Sequence, residues 1–132
     1  MRLIAGLLIA AFLALPAKAQ EAPIQGTIRS QLDAFQADDF ARAFTFASPI
    51  IQRLFGSAEN FGAMVKQGYP MVHRPGSVKM LDLRTQDSAL WQKVMITDAQ
   101  GRTHILDYEM VETADGWQIN GVRLLPDPGV GA

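Results

Sequence analysis

The sequence predicts an α+β domain in which N-terminal helices pack on a curved antiparallel sheet, and two periodicities carry that prediction. Between Pro23 and Gly68 the apolar residues recur every three or four positions, as on one face of a helix. From Ser77 to Leu125 they recur every second position, and the punctuation becomes that of hairpins.

The first helix is expected to open at Pro23, with Ile24, Ile28, Leu32 and Phe35 as its buried stripe. Asp38 reads as the N-cap of a second segment whose Phe40, Ala43, Phe44 and Ala47 fall at i, i+3, i+4 and i+7. Ser48-Pro49 restarts the chain as cap and first helical residue of a short turn carrying Ile50, Ile51, Leu54 and Phe55, which Gly56 stops. A further helix spans about 58–67, capped by Ser57, with Phe61, Met64 and Val65 on one face and Gly68 as the stop. Tyr69-Pro70 and Arg74-Pro75-Gly76 bracket a stretch expected to lack regular helix. Tyr69 is expected to close the helical layer over the sheet.

Four strands are expected at about 77–86, 89–98, 102–113 and 117–125. Asp98-Ala99-Gln100-Gly101 suits a type I turn with Gly in the left-handed position, pairing Asp98 with Arg102 and fixing the register of the central hairpin. On one face this sets Ile96 opposite His104, Val94 opposite Leu106, Gln92 opposite Tyr108 and Leu90 opposite Met110; these are to meet the helices. On the other face Lys93 meets Asp107 as an exposed pair, Trp91 meets Glu109, and Met95 meets Ile105. In the last strand Trp117 and Ile119 are odd-numbered while Val122 and Leu124 are even, so a bulge near Asn120-Gly121 is needed to bring them to one side.

Ahead of the domain stands an export signal. Arg2, thirteen apolar or small residues from Leu3 to Leu15, and the small-x-small pattern Ala17-Lys18-Ala19 predict cleavage between Ala19 and Gln20 and a periplasmic or secreted product. The run is shorter than the roughly 18 residues that cross a bilayer, which disfavours the alternative of a retained anchor. Residues 20–23 read as a linker, 24–125 as one domain and 126–132 as a flexible tail. Without Arg2 and Lys18 the chain has 10 basic against 13 acidic residues, a net charge of −3, with no basic cluster for nucleic acid. The absence of cysteine removes disulfides, thiol catalysis and thiolate metal sites. With only two separated histidines and no phosphate-binding or hydrolase motif, no metal or cofactor is expected.

Three helical segments followed by such a sheet, ending in Asp115-Gly116-Trp117-Gln118-Ile119-Asn120-Gly121-Val122, resemble the nuclear transport factor 2-like superfamily, the cone-shaped fold of ketosteroid isomerases and SnoaL-type cyclases. The stretch Ala43-Phe44-Thr45-Phe46-Ala47-Ser48-Pro49, with Phe55-Gly56, Phe61, Met64-Val65, Gly68-Tyr69-Pro70 and Arg74-Pro75, is similar to small bacterial proteins forming a domain of unknown function within it. The resemblance covers residues 24–125 and implies a fold and no activity.

What that fold implies is a cone that holds an apolar ligand, with polar groups at its mouth drawn from Tyr69, His73, Gln92, His104, Tyr108 and Asn120. The leading reading is an exported binding domain for a small apolar ligand or an envelope protein, with Phe40, Phe44, Phe46, Phe55 and Phe61 forming its core or lining its cavity. The alternative is a cofactor-independent isomerase or dehydratase, with His104 as base and Tyr108 or Tyr69 as hydrogen-bond donor. Against it stands the plainer expectation that His104 and Tyr108 satisfy one another at the core edge. A third reading is a homodimer through the outer sheet face of Trp91, Met95 and Ile105.

Overall fold

A computed structural model describes residues 17–126, so most of the stretch read as an export signal and the tail from Asp127 onward lie outside the described residues. Helix α1 runs from Ala17 to Gln36 with Pro23 inside it. It therefore starts earlier than expected and passes through the stretch read as a linker. Ala17, Ala19 and Ala22 are strong helix formers, and one proline removes a single backbone bond, so the helix passes through it. Ile24, Ile28, Leu32 and Phe35 are buried along one side, as their spacing requires. Each such side chain stabilises the fold by roughly 1.5–3 kcal/mol on burial.

Asp38 adopts a left-handed conformation at φ 55°, and the cap of α2 (Phe40–Thr45) is instead Asp39, whose carboxylate accepts from the Arg42 amide at 3.1 Å. Moving the cap by one residue leaves the Asp38 carboxylate free for other partners. Helix α3 (Pro49–Phe55) has Ser48 as its cap and ends at Gly56, whose φ of 79° is one that glycine adopts without cost. Helix α4 (Ala58–Gly68) is capped by Ser57. Within it Gly62 is required, because a Cβ there would lie 2.6 Å from the Phe40 ring.

The stretch expected to be irregular contains one helical turn, α5 (Pro70–His73). Proline is disfavoured in helix interiors but suits the first position, and Pro75 then prevents continuation. Tyr69 closes the helical layer as expected: its hydroxyl donates to the Val122 carbonyl at 3.3 Å.

Strands β1 (Pro75–Gln86), β2 (Ala89–Asp98), β3 (Thr103–Thr113) and β4 (Gly116–Leu125) form a curved, open antiparallel sheet in sequence order. Every β2–β3 pair expected from the Asp98 turn is found, including Ile96 with His104 and Gln92 with Tyr108. The β4 bulge is present too, since Met110 faces Ile119 while Glu109 faces Gly121, leaving Asn120 as the extra residue. A second bulge sits in β1, where Leu81 and Asp82 together oppose Lys93 between the pairs Met80–Val94 and Leu83–Gln92.

The helices cover the face carrying Val94, Ile96, Leu106, Tyr108, Met110 and Ile119. On the outer face Asp107 is fully buried rather than exposed, and although Lys93 stands opposite it in the ladder, its ion pair is with Arg84. Arg84 grips it through two contacts of 3.0 and 2.6 Å, and Lys93 reaches Asp82 at 3.9 Å instead. A planar guanidinium matches both carboxylate oxygens, which a single ammonium does not. Arg123 stacks 4.0 Å above the Trp91 ring, so the patch read as a homodimer surface carries a charged cover at Trp91.

Candidate functional site: an apolar cavity with one buried phenol

A cavity of about 240 Å³ lies between the helical layer and the β3–β4 half of the sheet. Its wall draws Phe35 from α1, Ile51, Leu54 and Phe55 from α3, Phe61 and Met64 from α4, and Tyr108 and Val122 from the sheet. Sequence logic places each one. Phe35 is the last member of the α1 stripe, and Phe61 is the hub of an aromatic cluster with Phe35, Phe44 and Phe55 at ring separations of 5.3–5.8 Å. The β4 bulge returns Val122 to the inner face.

Helix α3 is different. None of its residues is fully buried, and Leu54 lines the cavity while remaining 72% exposed. It therefore stands at the mouth. Its base is fixed more firmly: Ser48 donates its hydroxyl to Asn120 Oδ1 at 2.7 Å, and its amide bonds the Ile119 carbonyl at 2.8 Å. The amide of Gln52 secures the same end through the carbonyls of Phe44 and Ala47.

Polar groups in the wall are few. Gln31 spends its amide on the Ala43 carbonyl at 3.1 Å. The Tyr108 side chain is 1% exposed, and its hydroxyl is a buried polar atom with no hydrogen-bond partner among the described residues. Burial, and to a smaller extent the neighbouring Tyr69, pushes its pKa well above the ordinary value, so the group stays protonated and able to donate. No charged side chain lines the cavity among the described residues.

The residues singled out from the sequence are thus divided. Tyr69 and Tyr108 share the cavity wall. Asn120 does not line it and is engaged with Ser48. Gln92 is buried elsewhere as a clamp on the β1 bulge, donating to the carbonyls of Leu81 and Lys93 at 2.9 Å each. His104 and Tyr108 do not satisfy one another: the His104 ring bonds Asp98 Oδ2 at 2.9 Å at the end of the β2–β3 hairpin. Asp98 also accepts from the amides of Gln100 and Arg102. His73 stacks on Phe40 and bonds Asp38 at 2.8 Å, next to the Arg74–Asp38 pair at 2.9 Å; the His73 bond first, and then that of Arg74, hold the Asp38 carboxyl below its usual range.

The sequence reading did not assign Gln31, Phe35, Ile51, Leu54, Val72 or Val122 to the site. The strongest signal for the mouth was present, since Ile50, Ile51, Leu54 and Phe55 are more apolar residues than a seven-residue helix at the surface can bury.

The sequence profile of a domain of unknown function, DUF4864, matches residues 17–132. The chain belongs to the DUF4864 family. In this DUF4864 chain the matched region contains α1 and every wall residue of the cavity, so the site is part of the family domain. No curated protein and no solved structure matches the chain.

Proposed function

We propose that this protein is a binding module for a small apolar ligand, held in the cavity between the helices and the sheet, and that it works outside the cytoplasm after removal of residues 1–19. The observation that supports binding is the Tyr108 hydroxyl, buried in an apolar wall with no partner from the protein. Buried polar groups are nearly always hydrogen-bonded, and one left without a protein partner inside a cavity is an attachment point for something that enters it. The resemblance to nuclear transport factor 2-like folds agrees with this use of the cone. A proton-transfer reaction would also need a base beside Tyr108. Among the described residues the wall has no carboxylate, imidazole or amine, and His104 is engaged with Asp98, so binding is the better-supported reading.

Benzene is the simplest probe. Titrated into the protein, it is expected to shift the amide resonances of Phe61, Val65, Tyr108 and Val122 in a saturable way. Ile51→Trp, which places an indole at the mouth from a helix with no fully buried residue, is expected to abolish those shifts while the remaining spectrum persists. Unchanged shifts in the variant, or none in the parent protein, would remove the cavity from consideration.

A further inference from the structure

We infer that the cavity selects an uncharged ligand of single-ring size that carries one oxygen acceptor, directed at the Tyr108 hydroxyl. This rests on the binding role proposed above and adds the chemistry of what is bound.

Size gives the first constraint. An engineered cavity of about 150 Å³ accommodates benzene, so about 240 Å³ suits one ring with a short substituent and excludes a multi-ring skeleton lying wholly inside. Charge gives the second. With no cation in the wall, a carboxylate at the inner end would be buried without a counter-charge, a far larger penalty than burying a neutral carbonyl. The third is direction. Tyr108 on β3 is almost wholly buried, whereas Leu54 at the mouth is open to solvent, so the oxygen enters first and the apolar end remains under α3. Tyr69 supports this arrangement without competing for it, since its hydroxyl is already engaged by the Val122 carbonyl. Because Tyr108 stays protonated at all physiological pH values, the site donates and the ligand must accept.

Three compounds of similar size separate these features: acetophenone has a neutral acceptor, isopropylbenzene replaces the carbonyl with a methyl-bearing carbon, and benzoate carries a charge. Each is titrated into the full chain and into Tyr108→Phe, with the amides of Tyr108, Gly121 and Val122 observed by NMR. The variant is expected to be at least as stable as the parent, because the hydroxyl it lacks bonds nothing in the protein. Acetophenone should bind the parent and lose about tenfold in affinity in Tyr108→Phe, the worth of one hydrogen bond. Isopropylbenzene should change by less than about twofold on the same scale, and benzoate should not bind at neutral pH.

Equal affinity of acetophenone for both proteins, or saturable binding of benzoate, overturns the acceptor class while leaving an apolar binding site intact. If none of the three shifts these amides, the binding role fails as well. Should Tyr108→Phe not fold, the Tyr108 ring carbon bearing the hydroxyl provides the second measurement in the parent protein. Its resonance should move with acetophenone and not with isopropylbenzene; an equal movement with both refutes the hydrogen bond.

Discussion

Asp98 gathers more hydrogen bonds than any turn residue strictly requires. Its carboxylate accepts from the amides of Gln100 and Arg102, from the Arg102 guanidinium at 3.2 Å and from the His104 ring at 2.9 Å. The His104 bond is the largest cause of a carboxyl pKa held far below the usual value, with the Arg102 amide next. A depressed carboxylate pKa means that the folded state binds the proton less readily than the unfolded chain. Its stabilisation is therefore complete above the unfolded value of about 3.9 and is lost as pH falls below it. Urea midpoints at pH 6 and pH 3 should accordingly fall further for the parent protein than for Asp98→Asn, which has no proton to take up. Equal losses in the two would show that acid sensitivity resides elsewhere. Tyr108 is the opposite case at this scale, a polar group whose hydroxyl has no partner from the protein. Its place on the inner face follows from counting residues back from the Asp98 turn. That its hydroxyl would be left alone does not, because this depends on how far α4 and α5 stand from the sheet.

Gln92 shows what one side chain does for an element. At the β1 bulge the Gln92 amide donates to the carbonyls of Leu81 and Lys93, while its own oxygen accepts from Gln25 at 3.4 Å. Gln92→Leu keeps the volume but leaves these carbonyls unpaired and partly buried. The expected cost is about 2 kcal/mol, read as a shift in denaturation midpoint without a change in slope. A loss below about 0.5 kcal/mol, usual for surface changes, would mean that the bulge needs no clamp. Both bulges left the same trace in the sequence, a change in the parity of apolar residues. In β4 it is marked by Gly121 and was legible. In β1, Val78 and Met80 are even and Leu83 is odd, but no glycine draws attention to the change. The turn α5 was hidden by a different cause: Pro70 looks like a break until one asks whether it stands at a first helical position. The phenylalanines of the helical half were legible as apolar mass. How much space Phe35, Phe55 and Phe61 leave between them was not, since that depends on packing distances that no periodicity encodes.

For the whole molecule, the proposed cleavage point between Ala19 and Gln20 falls inside α1. Among the described side chains of that helix the first buried one is Ile24, so a cut between Ala19 and Gln20 leaves the core stripe intact. Intact-mass measurement of the exported protein should give a chain beginning at Gln20, and a membrane-bound species still beginning at Met1 would show that the segment is kept as an anchor. Among the described residues no helix is long and apolar enough to cross a membrane. The remaining architecture divides labour between a deep wall and a light cover. Phe35, Phe61 and Tyr108 are buried in the main core, whereas α3 has no fully buried residue and is tied at its ends, by Ser48 to Asn120 and by Phe55 against Phe61. Such a segment opens locally at a small fraction of the cost of unfolding the domain. In the proposed binding role, speed and strength of capture would fall to separate residues: α3 would set how often the cavity is exposed, and so the association rate, while the phenol and the aromatic wall would set how long a captured molecule stays.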